Sequence, residues 1–190
     1  MGRLQRVYIA LGANRTYRRR PLVESLIGAL KALEGPAIRV IAASRPWRTP
    51  AWPDPRDPQF LNAAAELRTD LSADDLLTVL HGVEERLGRV RGERNAPRTL
   101  DLDLLDHGGR VSADGDQTIT PHPRLHLRAF VLAPLREIAP RWRLPGEGTP
   151  ITRLYAALPS SDRRAVRPAG PPLIRALRCS ETLAGEGGID

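Results

Sequence analysis

The chain is poor in cysteine, lysine and aromatic side chains. Cys179 is its single cysteine, which excludes an internal disulfide and any cysteine-built zinc site. A reducing compartment suits such a chain. Aromatics make up 4% of the 190 residues, and only Phe60 and Phe130 are phenylalanines. No apolar run approaches the ~20 residues of a membrane-spanning helix. The early run Val7 to Ala13 is short, ends in Asn14-Arg15 and has no small-residue cleavage pattern. It reads as a strand and not as a signal peptide, and a cytoplasmic location is expected. There is no G-x-x-x-x-G-K-[S/T] loop, no H-E-x-x-H and no G-x-S-x-G. The one lysine, Lys31, falls on the first helical pattern, which excludes a lysine-dependent kinase site. Any phosphate bound here is left to arginine and metal.

Arginine is what the chain has instead. Of its 29 basic residues all but Lys31 are arginine, and the formal net charge is +7. A guanidinium presents a planar fork that fits phosphate and carboxylate. The chain is also rich in alanine, glycine and proline, so coding bias accounts for much of the count and position must decide which arginines matter. Hydrophobic residues are 41% of the chain, enough for a real core. The length suits one domain with room for a tail.

Residues 6–12 read as a buried strand. Leu22, Leu26, Ile27, Leu30 and Leu33 recur at helical spacing, and Gly35-Pro36 ends that helix. Residues 37–45 read as a second strand. Pro46 to Pro58 holds five prolines and two tryptophans, which predicts a stiff loop and not a strand. Residues 60–68 suit a third strand. Ser72, with Asp75 three residues on, starts a second helix through Leu76, Leu77, Leu80, Val83 and Leu87. Residues 99–105 make a fourth strand. The order β-α-β-β-α-β predicts an α+β, ferredoxin-like core with an antiparallel sheet. Residues 125–139 and 150–158 read as extra C-terminal helices. The expected division is one domain over residues 1–159 and a disordered tail over 160–190, where periodicity stops and prolines, arginines and glycines collect.

Four clusters can carry chemistry. In Leu100-Asp-Leu-Asp-Leu104 the strand alternation puts Asp101 and Asp103 on one face and the leucines on the other. Adjacent carboxylates repel, and when partly buried they call for a cation. Mg²⁺ suits them, since it takes one or two carboxylates plus substrate phosphates. A solvated face of an edge strand gives the same pattern. Arg98 just upstream favours the phosphate reading. Arg89, Arg91, Arg94 and Arg98 lie on the loop leading into the pair; alone they read as a solvated charge run. His122 lies in Thr-Pro-His-Pro with Arg128 and Phe130 beyond it, and a lone histidine is more often structural. His81 and Glu84 share a helix face as a surface pair would. Phe60 and Asn62 share a strand face, where a ring beside an amide suits a planar heterocycle; singly, each phenylalanine reads as core.

Taken in order, Tyr8-Ile-Ala-Leu-Gly-Ala-Asn14, Trp47-Arg-Thr-Pro50, Phe60-Leu-Asn-Ala-Ala64, Gly88-Arg-Val-Arg91, Ala96-Pro-Arg-Thr-Leu-Asp-Leu-Asp-Leu-Leu105, Pro121-His122, Arg128-Ala-Phe130 and Pro134-Leu-Arg-Glu-Ile-Ala-Pro140 resemble the 6-hydroxymethyl-7,8-dihydropterin pyrophosphokinase family. The resemblance covers roughly residues 5–158. It implies a Mg²⁺-dependent diphosphotransferase of folate biosynthesis that moves pyrophosphate from ATP to the pterin and releases AMP. Asp101 and Asp103 would hold two Mg²⁺ ions, with Arg89 and Arg98 catalytic beside them. His81, Glu84, Arg89, Arg91, Arg98, Leu104, His122 and Arg128 would bind ATP. Thr49, Pro50, Ala51, Trp52, Phe60, Asn62, Asp101 and Phe130 would bind the pterin. ATP and the pterin are the expected partners, with no nucleic acid and no membrane, and a monomer is expected. The chain departs from well-known members in a shorter 91–98 loop and at Asn95, Gln117 and Pro123.

An RNA-recognition module shares the outline and the basic charge. The strands lack its aromatic stacking pattern, and two aspartates would repel a nucleic-acid backbone.

Overall fold

The computed structural model describes residues 3–51, 54, 56–90 and 97–178. Its centre is β1 (Gln5–Ala13), paired antiparallel with β4 (Phe60–Thr69) on one side and β5 (Asp101–His107) on the other. β2 (Ile38–Ala43) pairs with the far half of β4. The strand order β5-β1-β4-β2, with helices α1 (Leu22–Leu33) and α2 (Ala73–Arg86) as the two crossovers, is the ferredoxin-like arrangement predicted above.

Alternation along β1 explains its apolar composition. Val7, Ile9, Leu11 and Ala13 bury into one cluster with Leu26 and Leu30 of α1 and Leu76 and Leu80 of α2. Tyr8 faces the other way, into a second cluster with Leu132 and Leu135 of α3 (Ala129–Ile138) and Ile151 of α4 (Ile151–Ala157). A strand covered on both faces needs apolar residues at every position.

Three expectations are corrected. Trp47–Thr49 is a strand, β3, paired with Phe60 to Asn62 of β4. It spans only the three residues between Pro46 and Pro50, so every residue it pairs keeps a backbone N–H. The helix predicted over 125–139 is broken: a 3₁₀ turn, Leu125–Leu127, precedes α3, and Arg128 between them is extended. The region expected to be disordered from 160 is ordered through residue 178. A short helix, α5 (Ser160–Ala165), leads into β6 (Arg167–Pro168), which pairs with β3. Helical residues 173–178 then bury Leu173 and Leu177 in the first cluster. Each piece is too short for periodicity to show.

Candidate functional site

The site is assembled where β4, β1 and β5 end side by side. Gly12 of β1 pairs with Asn62 on one side and Asp101 on the other. A Cβ at Gly12 would lie 2.9 Å from Asn62 Oδ1 and 3.9 Å from Asp101 Cβ. Glycine keeps the space between the two side chains open. On the Asn62 side, its Nδ2 donates to Thr49 Oγ1 at 2.9 Å. That bond fixes the amide and turns its oxygen toward the cleft.

Around Asp101 the expected arginines converge. Arg98 Nη1 donates to Asp101 Oδ2 at 2.7 Å, and Arg89 Nη1 to Oδ1 at 2.6 Å. The helix end explains how Arg89 gets there. Gly88, at φ +81, lets its own N–H reach Glu85 O and the N–H of Arg89 reach Glu84 O. This paired closure of a helix C-terminus needs a left-handed residue, which glycine supplies without strain. The chain folds back over the helix, and Arg89 also donates to Glu84 Oε1. Glu84 is 2% exposed and accepts the Leu102 N–H at 2.6 Å. Burial pushes its carboxyl above the ordinary value, against the pull of that N–H and of Arg89.

Asp103 lies two residues along the same face of β5. Burial, and then the Asp101 charge, raise its pKa; His122 and Arg128 oppose the rise. Arg128 Nη1 stands 3.7 Å from Asp103 Oδ2 and its guanidinium 5.5 Å from the centre of the Phe130 ring. The break before α3 gives Arg128 this position. The N–H of His122 donates to Leu105 O at 2.8 Å, on the outer edge of β5, and its Nδ1 accepts the Arg124 N–H at 3.1 Å. Burial holds this imidazole below its ordinary pKa although Asp103 pulls upward.

These carboxylates are hard oxygen donors held on one face, which fits Mg²⁺. Among the described residues no group of three or more His, Cys, Asp or Glu could hold a metal.

The matching family model has the description 7,8-dihydro-6-hydroxymethylpterin-pyrophosphokinase and covers residues 8–140. The chain belongs to this family. It is 41% identical over 145 residues to the 2-amino-4-hydroxy-6-hydroxymethyldihydropteridine pyrophosphokinase of Methylorubrum extorquens, covering 76% of this chain and 89% of the relative. It is 41% identical over 157 residues to the enzyme of that name from Pseudomonas aeruginosa, covering 82% and 93%. A crystal structure of wild-type Plasmodium falciparum HPPK-DHPS superposes with a TM-score of 0.63 at 13% identity, covering 82% of this chain and 45% of that one. That likeness shows the shared fold.

Of the family's site residues, carried onto this chain, the ionisable ones around Asp101 and Asp103 are brought together. Arg89, Arg98, Asp101, Asp103, Glu84 and Arg128 form one connected charged group, with His122 beside Asp103. His81 is half-buried on α2, one turn before Glu84. Thr49 and Ala51 are buried and Pro50 is exposed; Phe60 and Asn62 lie on the β4 face that α3 packs against, and Phe130 opens α3. Leu104 offers no side chain to the cleft. Its side chain is 5% exposed and packs in the core with α1 and α2. Only its main chain is available to a nucleotide, on the outer edge where Leu102 meets Glu84. Trp52 and Arg91 lie outside the described residues. Glu84 looked like half of a surface pair in the sequence; its partners Arg89 and Leu102 are remote from any helix-face rule.

Proposed function

We propose that the chain transfers a pyrophosphoryl group from ATP to the hydroxymethyl oxygen of 6-hydroxymethyl-7,8-dihydropterin, releasing AMP, with two Mg²⁺ ions held by Asp101 and Asp103. One observation carries this reading: in a chain of this family, two carboxylates share one face of β5 and are bracketed by Arg89, Arg98 and Arg128. Mg²⁺, when bound, neutralises the triphosphate and polarises the phosphorus under attack.

The protein's own work is positioning and charge. Both oxygens of Asp101 are occupied by guanidinium groups. A triphosphate competes for the same forks, so Arg89 and Arg98 can pass from Asp101 to phosphate oxygens, and Asp101, so freed, would hold Mg²⁺. Glu84 keeps Arg89 at the helix end during that exchange. Arg128 meets the phosphates from the Asp103 side. His122, kept neutral by burial, offers its Nε2–H to the nucleotide as a donor. His81 and the Leu104 main chain border the nucleotide along the same strand edge.

Across the Gly12 cleft, Asn62 presents its amide oxygen to the pterin's donors. Thr49, Pro50 and Ala51 form the adjoining wall. Phe60 and Phe130 supply ring faces for a flat heterocycle. The hydroxymethyl group then lies toward Asp101, beside the phosphates.

ATP labelled at the γ-phosphate tests the reaction type. The label should appear in a pterin diphosphate, with unlabelled AMP as the second product. ADP and a pterin monophosphate would contradict the proposal.

A further inference from the structure

Asn14, the residue just past β1, is 5% exposed. Its side-chain oxygen accepts the Arg98 N–H at 2.7 Å. Its Nδ2 donates to the Pro58 carbonyl at 3.2 Å. Its own N–H, and that of Arg15, donate to the Arg98 carbonyl, each at 3.0 Å. Both polar groups of the Arg98 main chain are thus bound to one residue and its neighbour. Arg98 lies three residues before Asp101. Pro58 lies two residues before Phe60 and four before Asn62.

A single buried amide therefore fastens the segment bearing the phosphate-side groups to the segment bearing the pterin-side groups. The two segments are 40 residues apart in sequence, and Gly12 between them contributes no side chain. Only a side chain with one acceptor and one donor can do this. Aspartate has acceptors alone and would face the Pro58 carbonyl with a second oxygen. Alanine would leave the Arg98 N–H and the Pro58 carbonyl without their partner in a part-buried place.

We propose that Asn14 is a positioning residue: it sets the spacing between the pterin wall and the Arg98–Asp101 phosphate site, and so the approach of the hydroxymethyl oxygen to the phosphorus. This rests on the site reading given above. Misplacement of reactants by about 1 Å can cost on the order of a hundredfold in rate.

The test compares Asn14→Asp and Asn14→Ala with wild type, by steady-state kinetics in both substrates and by backbone hydrogen exchange. The expected result is a fall in kcat of about 10- to 100-fold and a raised KM for the pterin. Binding of a non-hydrolysable ATP analogue in the absence of pterin should change less than about threefold, because Arg89, Arg128 and the aspartates remain in place. The amides of Asn14, Arg15 and Arg98 should exchange faster. Variants that stay folded with kcat and both KM values within about twofold of wild type would overturn the proposal, as would failure of both to fold, which would assign a structural role alone. Asp101→Ala run alongside separates the two readings. If it keeps wild-type turnover, the site reading fails; if it is dead while the Asn14 variants are normal, only the Asn14 proposal fails.

Discussion

A buried carboxylate is an expensive thing to keep charged, and Glu84 is the one this site keeps. Its hydrogen bonds to Arg89 and Leu102 offset part of the cost, yet burial leaves its folded-state pKa above the ordinary 4.5. The sign follows from proton linkage. The folded state binds that proton more tightly than the unfolded state, so stability falls as pH rises from about 4.5 through the folded pKa. Glu84→Gln removes this term. Melting temperatures measured from about pH 4 to about pH 7 should show wild type losing stability relative to the variant across that window. Parallel curves would contradict the account. The same residue shows what a sequence conceals. Asp101 and Asp103 were legible because strand alternation is a local rule. The burial of Glu84 and the bridging by Asn14 depend on partners up to 84 positions away, which no local rule reports.

At the scale of elements, the C-terminal segment braces β3, the strand that leads into Thr49 and Pro50. β6 pairs with β3, the N–H of Ala169 donates to Pro46 O at 2.8 Å, and that of Leu173 to Ser44 O at 3.0 Å. β3 therefore has a partner on both sides just before Thr49 and Pro50. Leu173, 2% exposed, anchors the brace in the core. Leu173→Ala should cost about 2–5 kcal/mol of stability, read from urea denaturation. A loss below about 0.5 kcal/mol would show that the segment is not anchored there. The long helices and strands of the core were legible from apolar spacing, and Ser72 marked the start of α2 as its chemistry requires. β3, β6 and the break at Arg128 were not, because two or three residues cannot show a period.

At the scale of the whole molecule, the sheet is covered on both faces over most of its area, and function is left to one end of it. The first crossover helices bury one face. α3 and α4 bury the other around Tyr8 and Ala64. A cavity of about 780 Å³ lies at the opposite end of the strands, between Arg6, Tyr8, Glu66 and Trp142, and holds none of the site residues. No helix among the described residues is long and apolar enough to cross a membrane. The surplus of arginine was ambiguous as a count and became informative only by position, since Arg89, Arg98 and Arg128 are the ones the fold turns onto the aspartates. The most direct measurement is AMP release from ATP and 6-hydroxymethyl-7,8-dihydropterin with Mg²⁺, for wild type beside Asp101→Ala and Asp103→Ala. The account predicts pterin-dependent AMP in wild type and a loss on the order of a thousandfold in each folded variant; no AMP from wild type, or turnover unchanged in either variant, would contradict it.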